Sequence, residues 1–98
     1  MDIDKILKRH PDKIPTLISP KKGNHQLAEL PKNKYLLPKD MTINQVVYII
    51  RRHLSIKPET AIIIFVNNEL FPNNKQLSEI TIPGQLNYIT YTLENTFG

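Results

Sequence analysis

The sequence predicts an α+β fold in which one helix packs across a four-stranded mixed sheet. Three observations carry this reading. Thr42-Ile43-Asn44-Gln45 has the form of a capping box, Thr at the N-cap and Gln three positions on, and it opens an amphipathic stretch that closes on Arg51-Arg52. Ile62-Ile63-Ile64-Phe65-Val66 is a continuous apolar run bounded by turn residues, the pattern of a strand buried on both faces. Residues 87–93 alternate in polarity after the turn dipeptide Pro83-Gly84, the pattern of a further strand.

Taken in order, residues 2–9 read as a short helix. Asp2 suits the N-cap, Asp4 the positive end, and Lys8 and Arg9 the negative end. Ile3, Ile6 and Leu7 form one apolar face, and Pro11 disfavours helix at His10. A short strand is expected over 14–19, with Pro15 placing it near an edge or at a strand start. Residues 20–34 read as loop, with a turn at Lys22-Gly23-Asn24. Tyr35-Leu36-Leu37-Pro38 is extended, and Pro38, which has no N–H, ends that strand or lies at a sheet edge. The β-branched residues after Gln45 would suit a strand, but the cap, the spacing of Val46, Ile49, Ile50, His53 and Leu54, and the basic end predict a helix. Asn67-Asn68 marks a tight turn, residues 75–79 one helical turn, and residues 94–98 a loose tail. Helix, strand, strand, long helix, strand, short helix, strand is the order of an α+β roll of the β-grasp kind.

Ninety-eight residues suffice for one compact domain, expected over 1–93 with a flexible tail over 94–98. The chain is 40% hydrophobic and 22% charged, which excludes a disordered tail. No apolar run approaches the roughly 20 residues that span a bilayer. Met1-Asp2-Ile3-Asp4 has acids where a signal peptide has bases, so a cytoplasmic protein is expected. The absence of cysteine removes disulfides, thiolate metal sites and cysteine-based catalysis. Charge is uneven. Residues 1–58 hold 12 of the 13 bases and five of the nine acids, a balance of +7, while residues 59–98 balance at −3. A basic front half suits an acidic partner, although solvated lysines would account for it equally well.

No assembled catalytic site is visible, so an enzyme is not expected. His10, His25 and His53 lie in different elements, without the spacing of a zinc site. The three glycines form no phosphate-cradling loop, and Ser19, Ser55 and Ser78 lack the surroundings of a nucleophile. No metal or cofactor is implied. A small basic nucleic-acid-binding domain is the alternative suggested by a pI near 9.4, but no nucleic-acid motif and few strand aromatics support it, so no nucleic-acid partner is expected. What remains is a binding surface. Lys32 and Lys34 precede a short apolar strand. As a sheet edge, that strand would accept a peptide as a further strand, and the lysines would attract acids flanking it. An edge guarded against aggregation by lysines and a proline reads the same way.

Lys34-Tyr35-Leu36-Leu37-Pro38-Lys39-Asp40-Met41-Thr42, then Tyr48-Ile49-Ile50-Arg51-Arg52, then Ile64-Phe65-Val66-Asn67-Asn68 together resemble the autophagy-related ubiquitin-like modifiers, the family of the microtubule-associated light chain three and the GABA-receptor-associated protein. The stretch from Ile6 to Pro15 is similar to the family's second helix and first strand. The stretch from Tyr88 to Gly98 is similar to its last strand and tail.

The resemblance implies a ubiquitin-like β-grasp fold and a modifier. Activating and conjugating enzymes would join Gly98 to phosphatidylethanolamine on autophagosomal membranes, with Phe97 recognised in the tail and a deconjugating cysteine protease reversing the link. Cargo receptors and adaptors carrying an aromatic-x-x-aliphatic motif beside acids would then dock. It implies a first pocket from Asp2, Ile6, Pro15, Lys34, Leu36 and Leu86, and a second from Tyr35, Leu37, Pro38, Met41, Val46 and Ile49. Lys13, Lys32 and His53 would meet the acids beside the motif. Core packing would explain Ile6, Val46 and Ile49 as well. A modifier joined to a protein lysine is the alternative within the superfamily, but it typically has Trp before its terminal Gly and lacks the Asn-Asn turn. The pattern departs in three respects. The family's first helix is not found before Asp2. His53 stands where Arg is expected. Leu86 replaces an aromatic, after a shortened 78–85 segment, which implies a reshaped first pocket. The end at Gly98 implies that no protease step is needed to expose it.

Overall fold

The computed structural model describes residues 2–21 and 33–95. The elements are α1 (Ile3–Arg9), β1 (Lys13–Pro20), β2 (Lys34–Pro38), α2 (Ile43–Leu54), β3 (Thr60–Val66), α3 (Leu77–Ile80) and β4 (Asn87–Asn95). The strands form one sheet in the order β2-β1-β4-β3. The central pair β1 and β4 is parallel, and the outer pairs are antiparallel. The expected turn at Lys22-Gly23-Asn24 lies outside the described residues.

Local signals act as their chemistry requires. The Asp2 carboxylate accepts from the Lys5 N–H and caps α1. In α2, Gln45 N–H donates to Thr42 Oγ1 at 3.3 Å, and Thr42 N–H donates to Gln45 Oε1 at 2.9 Å, so the capping box is complete. The helix ends at Ser55, in the left-handed region at φ 52°. Arg51 Nη1 reaches on to the carbonyls of Lys57 and Thr60, at 2.7 and 2.9 Å, tying the end of α2 to the start of β3. Asn67 and Asn68 both take positive φ in the turn after β3, where Asn is tolerated.

The core lies between the sheet and α2. Ile14 and Ile18 of β1, Ile89 and Tyr91 of β4, and Ile62, Ile64 and Val66 of β3 meet Ile43, Val46 and Ile50 of α2. Leu77 of α3 closes one end of this core. Pro15 alternates away from Ile14 and Thr16, yet it is fully buried. The cover comes from α1, which packs on β1 from the opposite face.

Three expectations change and one narrows. β3 is an edge strand with one fully buried face. Ile63 and Phe65, on its other face, are only half-buried, and the Lys21 ammonium sits 3.6 Å over the Phe65 ring. β1 is central, so of the two readings of Pro15, an edge or a strand start, only the second holds. Pro15 is tolerated there because pairing with β4 begins only at Thr16, while Pro15 pairs with Leu36 of β2 alone. The helical turn expected over 75–79 is α3, displaced to Leu77–Ile80. β4 runs two residues beyond the expected end at 93, because Glu94 and Asn95 pair with Ala61 and Thr60.

Candidate functional site

β2 is five residues long and lies at the edge of the sheet. Its inner side pairs with β1 in the register Lys13↔Pro38, Ile14↔Leu37, Pro15↔Leu36, Thr16↔Tyr35 and Leu17↔Lys34. Its outer side is available for another strand, since nothing among the described residues pairs with it.

Strand alternation divides the expected site residues between two faces. Lys34, Leu36 and Pro38 share the α1 face with Lys13, Pro15 and Leu17. Tyr35 and Leu37 share the α2 face with Ile14 and Thr16. On the α1 face, Pro15 and Leu36 lie side by side. Leu36 is 39% exposed, and Lys34, next along, is exposed too. Ile6 of α1 and Leu86, just ahead of β4, are half-buried, and Asp2 caps α1. On the α2 face, Leu37 and Val46 belong to the buried core, Tyr35 and Met41 are half-buried against it, and Ile49 is half-buried. Burial raises the Tyr35 phenol above its ordinary pKa.

The structure therefore brings Pro15, Lys34 and Leu36 together, and brings Tyr35, Leu37 and Met41 together on the opposite side. Pro38 does not join the second group, because its place in the strand puts it on the α1 face. His53 is exposed in the last turn of α2. Lys32, Phe97 and Gly98 lie outside the described residues.

The chain matches the family described as autophagy protein Atg8, ubiquitin like, over residues 1–98. The chain belongs to this Atg8 family. It is 39% identical to autophagy-related protein 8e of Arabidopsis thaliana over 99 residues, covering 96% of this chain and 80% of the relative. It is 41% identical to autophagy-related protein 8 of Schizosaccharomyces pombe, with the same coverage. The crystal structure of Trypanosoma brucei ATG8 superposes with a TM-score of 0.81 at 30% identity, covering 99% of this chain and 86% of that one. The sheet and helices described above are thus the ubiquitin-like Atg8 fold. Among the described residues, no helix is long and apolar enough to cross a membrane, and no cluster of His, Cys, Asp or Glu could hold a metal ion.

Two features were not among the expected site residues. Leu17 is half-buried and paired with Lys34, which extends the α1 face beyond Pro15; strict alternation from Pro15 was the available signal. A cleft of about 170 Å³ lies between α1, the start of β1 and residues 81–85. It uses only Pro15 and Lys13 of the expected set.

Proposed function

We propose that this Atg8-family chain is a lipid-conjugated modifier whose β2 edge docks short acidic segments bearing an aromatic-x-x-aliphatic motif. The observation that carries the docking half is the edge itself, which offers apolar surface on both of its faces. In an added extended segment, side chains separated by an odd number of positions point to opposite faces. Anchors at the first and fourth positions of a motif therefore reach opposite sides of the sheet. One meets Pro15, Leu36 and the Ile6 flank of α1. The other meets the half-buried Tyr35, Met41 and Ile49, which lie over the buried Leu37. Lys34 favours segments with acids beside the anchors.

Family membership supports the attachment half. ATP-driven activation would convert the Gly98 carboxyl to a thioester on an enzyme cysteine, since this chain has none. The amine of phosphatidylethanolamine would then attack the carbonyl, forming the amide and releasing the enzyme thiol. Glycine suits that position because no side chain obstructs the carbonyl or the cleft that holds the tail. A cysteine protease would hydrolyse the same amide. The modifier so attached works at the autophagosomal membrane, held there by the acyl chains of its lipid.

The experiment is reconstitution with the activating and conjugating enzymes, ATP and phosphatidylethanolamine liposomes, read by intact mass. A phosphatidylethanolamine adduct that Gly98→Ala abolishes is expected. An unmodified chain beside a control modifier that is conjugated in the same mixture overturns the reading. An adduct on protein amines but not on lipid replaces it with a protein-directed modifier.

A further inference from the structure

The cleft beside α1 adjoins the β2 edge through Pro15, which pairs with Leu36, but takes none of its lining from β2 itself. Leu7 lines it, from the helix that also carries Ile6. Ile14, Pro15, Ile82 and Pro83 supply the rest of its apolar lining, and Lys13 and Lys39 are its charged residues. No Asp or Glu lines it.

Backbone and side-chain hydrogen bonds hold its walls in place. Lys39 N–H donates to the Asp12 carbonyl at 3.3 Å, and the Lys39 carbonyl accepts from Ser78 N–H at 3.0 Å. Residues 12, 39 and 78 are thereby fastened to one another. The opposite wall is the 82–85 turn, with Gly84 at φ +78°. Asn87, 1% exposed, clamps it. Its Oδ1 accepts from Ile82 N–H at 2.8 Å, and its Nδ2 donates to the carbonyls of Ile82 and Gln85 at 2.9 and 3.2 Å. A site with pinned walls binds without first ordering itself. Ile82 nonetheless remains 47% exposed, an apolar side chain without full cover at the cleft.

Size and charge select the occupant. A volume of about 170 Å³ is close to the ~150 Å³ that admits a benzene-sized group, so one side chain fits and an extended acyl chain does not. Two lysines without a lining acid favour carboxylates next to that side chain. We propose that this cleft is a second docking site, taking one apolar side chain from an acidic segment of a partner protein, beside the β2 edge and sharing only Pro15 with it.

The test uses two capped tripeptides, acetyl-Glu-Leu-Glu-amide and acetyl-Lys-Leu-Lys-amide. Neither carries the spacing that the β2 edge requires. Each is titrated to millimolar concentration into the ¹⁵N-labelled full chain, with amide shifts followed by NMR. The acidic peptide is expected to shift the amides of Leu7, Ile14, Ile82 and Gly84, and the basic one to leave them unchanged. Lys39→Glu, an exposed substitution checked for folding by circular dichroism, should weaken the acidic peptide about two- to fivefold, the range of an exposed ion pair. The same substitution should leave an aromatic-x-x-aliphatic peptide unaffected, whereas Lys34→Glu should do the reverse. Equal shifts with both peptides, no shifts with either, or shifts confined to residues 34–38 would each overturn the cleft proposal. None of these outcomes bears on conjugation at Gly98 or on the docking of the longer motif.

Discussion

Asn87→Ala tests whether one buried amide organises the end of the sheet nearest the candidate site. Asn87 makes four side-chain hydrogen bonds: its Oδ1 accepts from Asn67 Nδ2 and Ile82 N–H, and its Nδ2 donates to the carbonyls of Ile82 and Gln85. Each bond contributes about 1 kcal/mol net, and a buried partner left unpaired costs about 1–3 kcal/mol. The 82–85 turn can swing out and pair with water, so the lower part of that range applies to its carbonyls. Asn67 keeps its own bonds to Tyr88, donating N–H to the carbonyl at 2.7 Å and accepting the Tyr88 N–H on Oδ1 at 3.0 Å. The expected loss is therefore about 2–4 kcal/mol, a large share of the ~5–15 kcal/mol typical of a domain. With a urea slope of about 2 kcal/mol/M, the midpoint should fall by about 1–2 M, followed by far-ultraviolet circular dichroism. Hydrogen exchange at Ile82 should accelerate, because its N–H loses its acceptor. A midpoint within about 0.5 M of the parent, or an Ile82 amide as protected as before, would refute the clamp.

Three further outcomes are expected. Leu36→Asp should weaken an aromatic-x-x-aliphatic peptide about tenfold or more by isothermal titration calorimetry, while stability falls by only about 1–2 kcal/mol because Leu36 is already 39% exposed. A peptide with three residues between its anchors in place of two should lose about 1.5–3 kcal/mol, the worth of one buried anchor, because both anchors then face the same side; equal binding would refute the two-face geometry. The Tyr35 phenol has its folded pKa raised by burial, so it adds stability below the unfolded value of about 10 that is lost as pH rises through the folded value. Tyr35→Phe should flatten that alkaline decline in the urea midpoint, and parallel declines in parent and variant would refute the assignment.

Features that depend on a few neighbouring residues were legible in the sequence. The Thr42/Gln45 box, the Asp2 cap and the end of β2 at Pro38 each rest on a local hydrogen bond or a missing N–H, and each stands as expected. The run over 62–66 was misread because an apolar run reports hydrophobicity, not strand order. β3 lies at an edge because β4 returns between it and β1, a fact of topology. Pro15 left two readings open, an edge or a strand start, and the second holds. Its missing N–H marks a position without pairing on one side, which is also found where a central strand has yet to meet its second neighbour. The place of Lys34 and Leu36 on one face of a short strand was legible from alternation, whereas the face of Pro38 was not. The cleft was not legible either, since its lining comes from six separated stretches with no shared period. Asn87 likewise carries no local mark of its role, reading in sequence as the polar first residue of an alternating strand.

The β2 edge faces opposed demands, and its composition meets both. An open edge invites pairing with any exposed strand, including that of a second copy. Five residues limit the ladder such a pair could form, Pro38 withholds one N–H, and exposed Lys34 sets like charges against each other when two copies approach. The same lysine turns from guard to attractant when the incoming segment carries acids. Leu36 on one face and half-buried Tyr35 on the other mean that backbone pairing alone leaves apolar surface uncovered. Only a segment with an anchor for each face covers it. In the docking function proposed above, the edge would reject its own kind by charge and select partners by the odd spacing of their anchors, so that discrimination would arise from the features that keep the unbound protein from associating with itself.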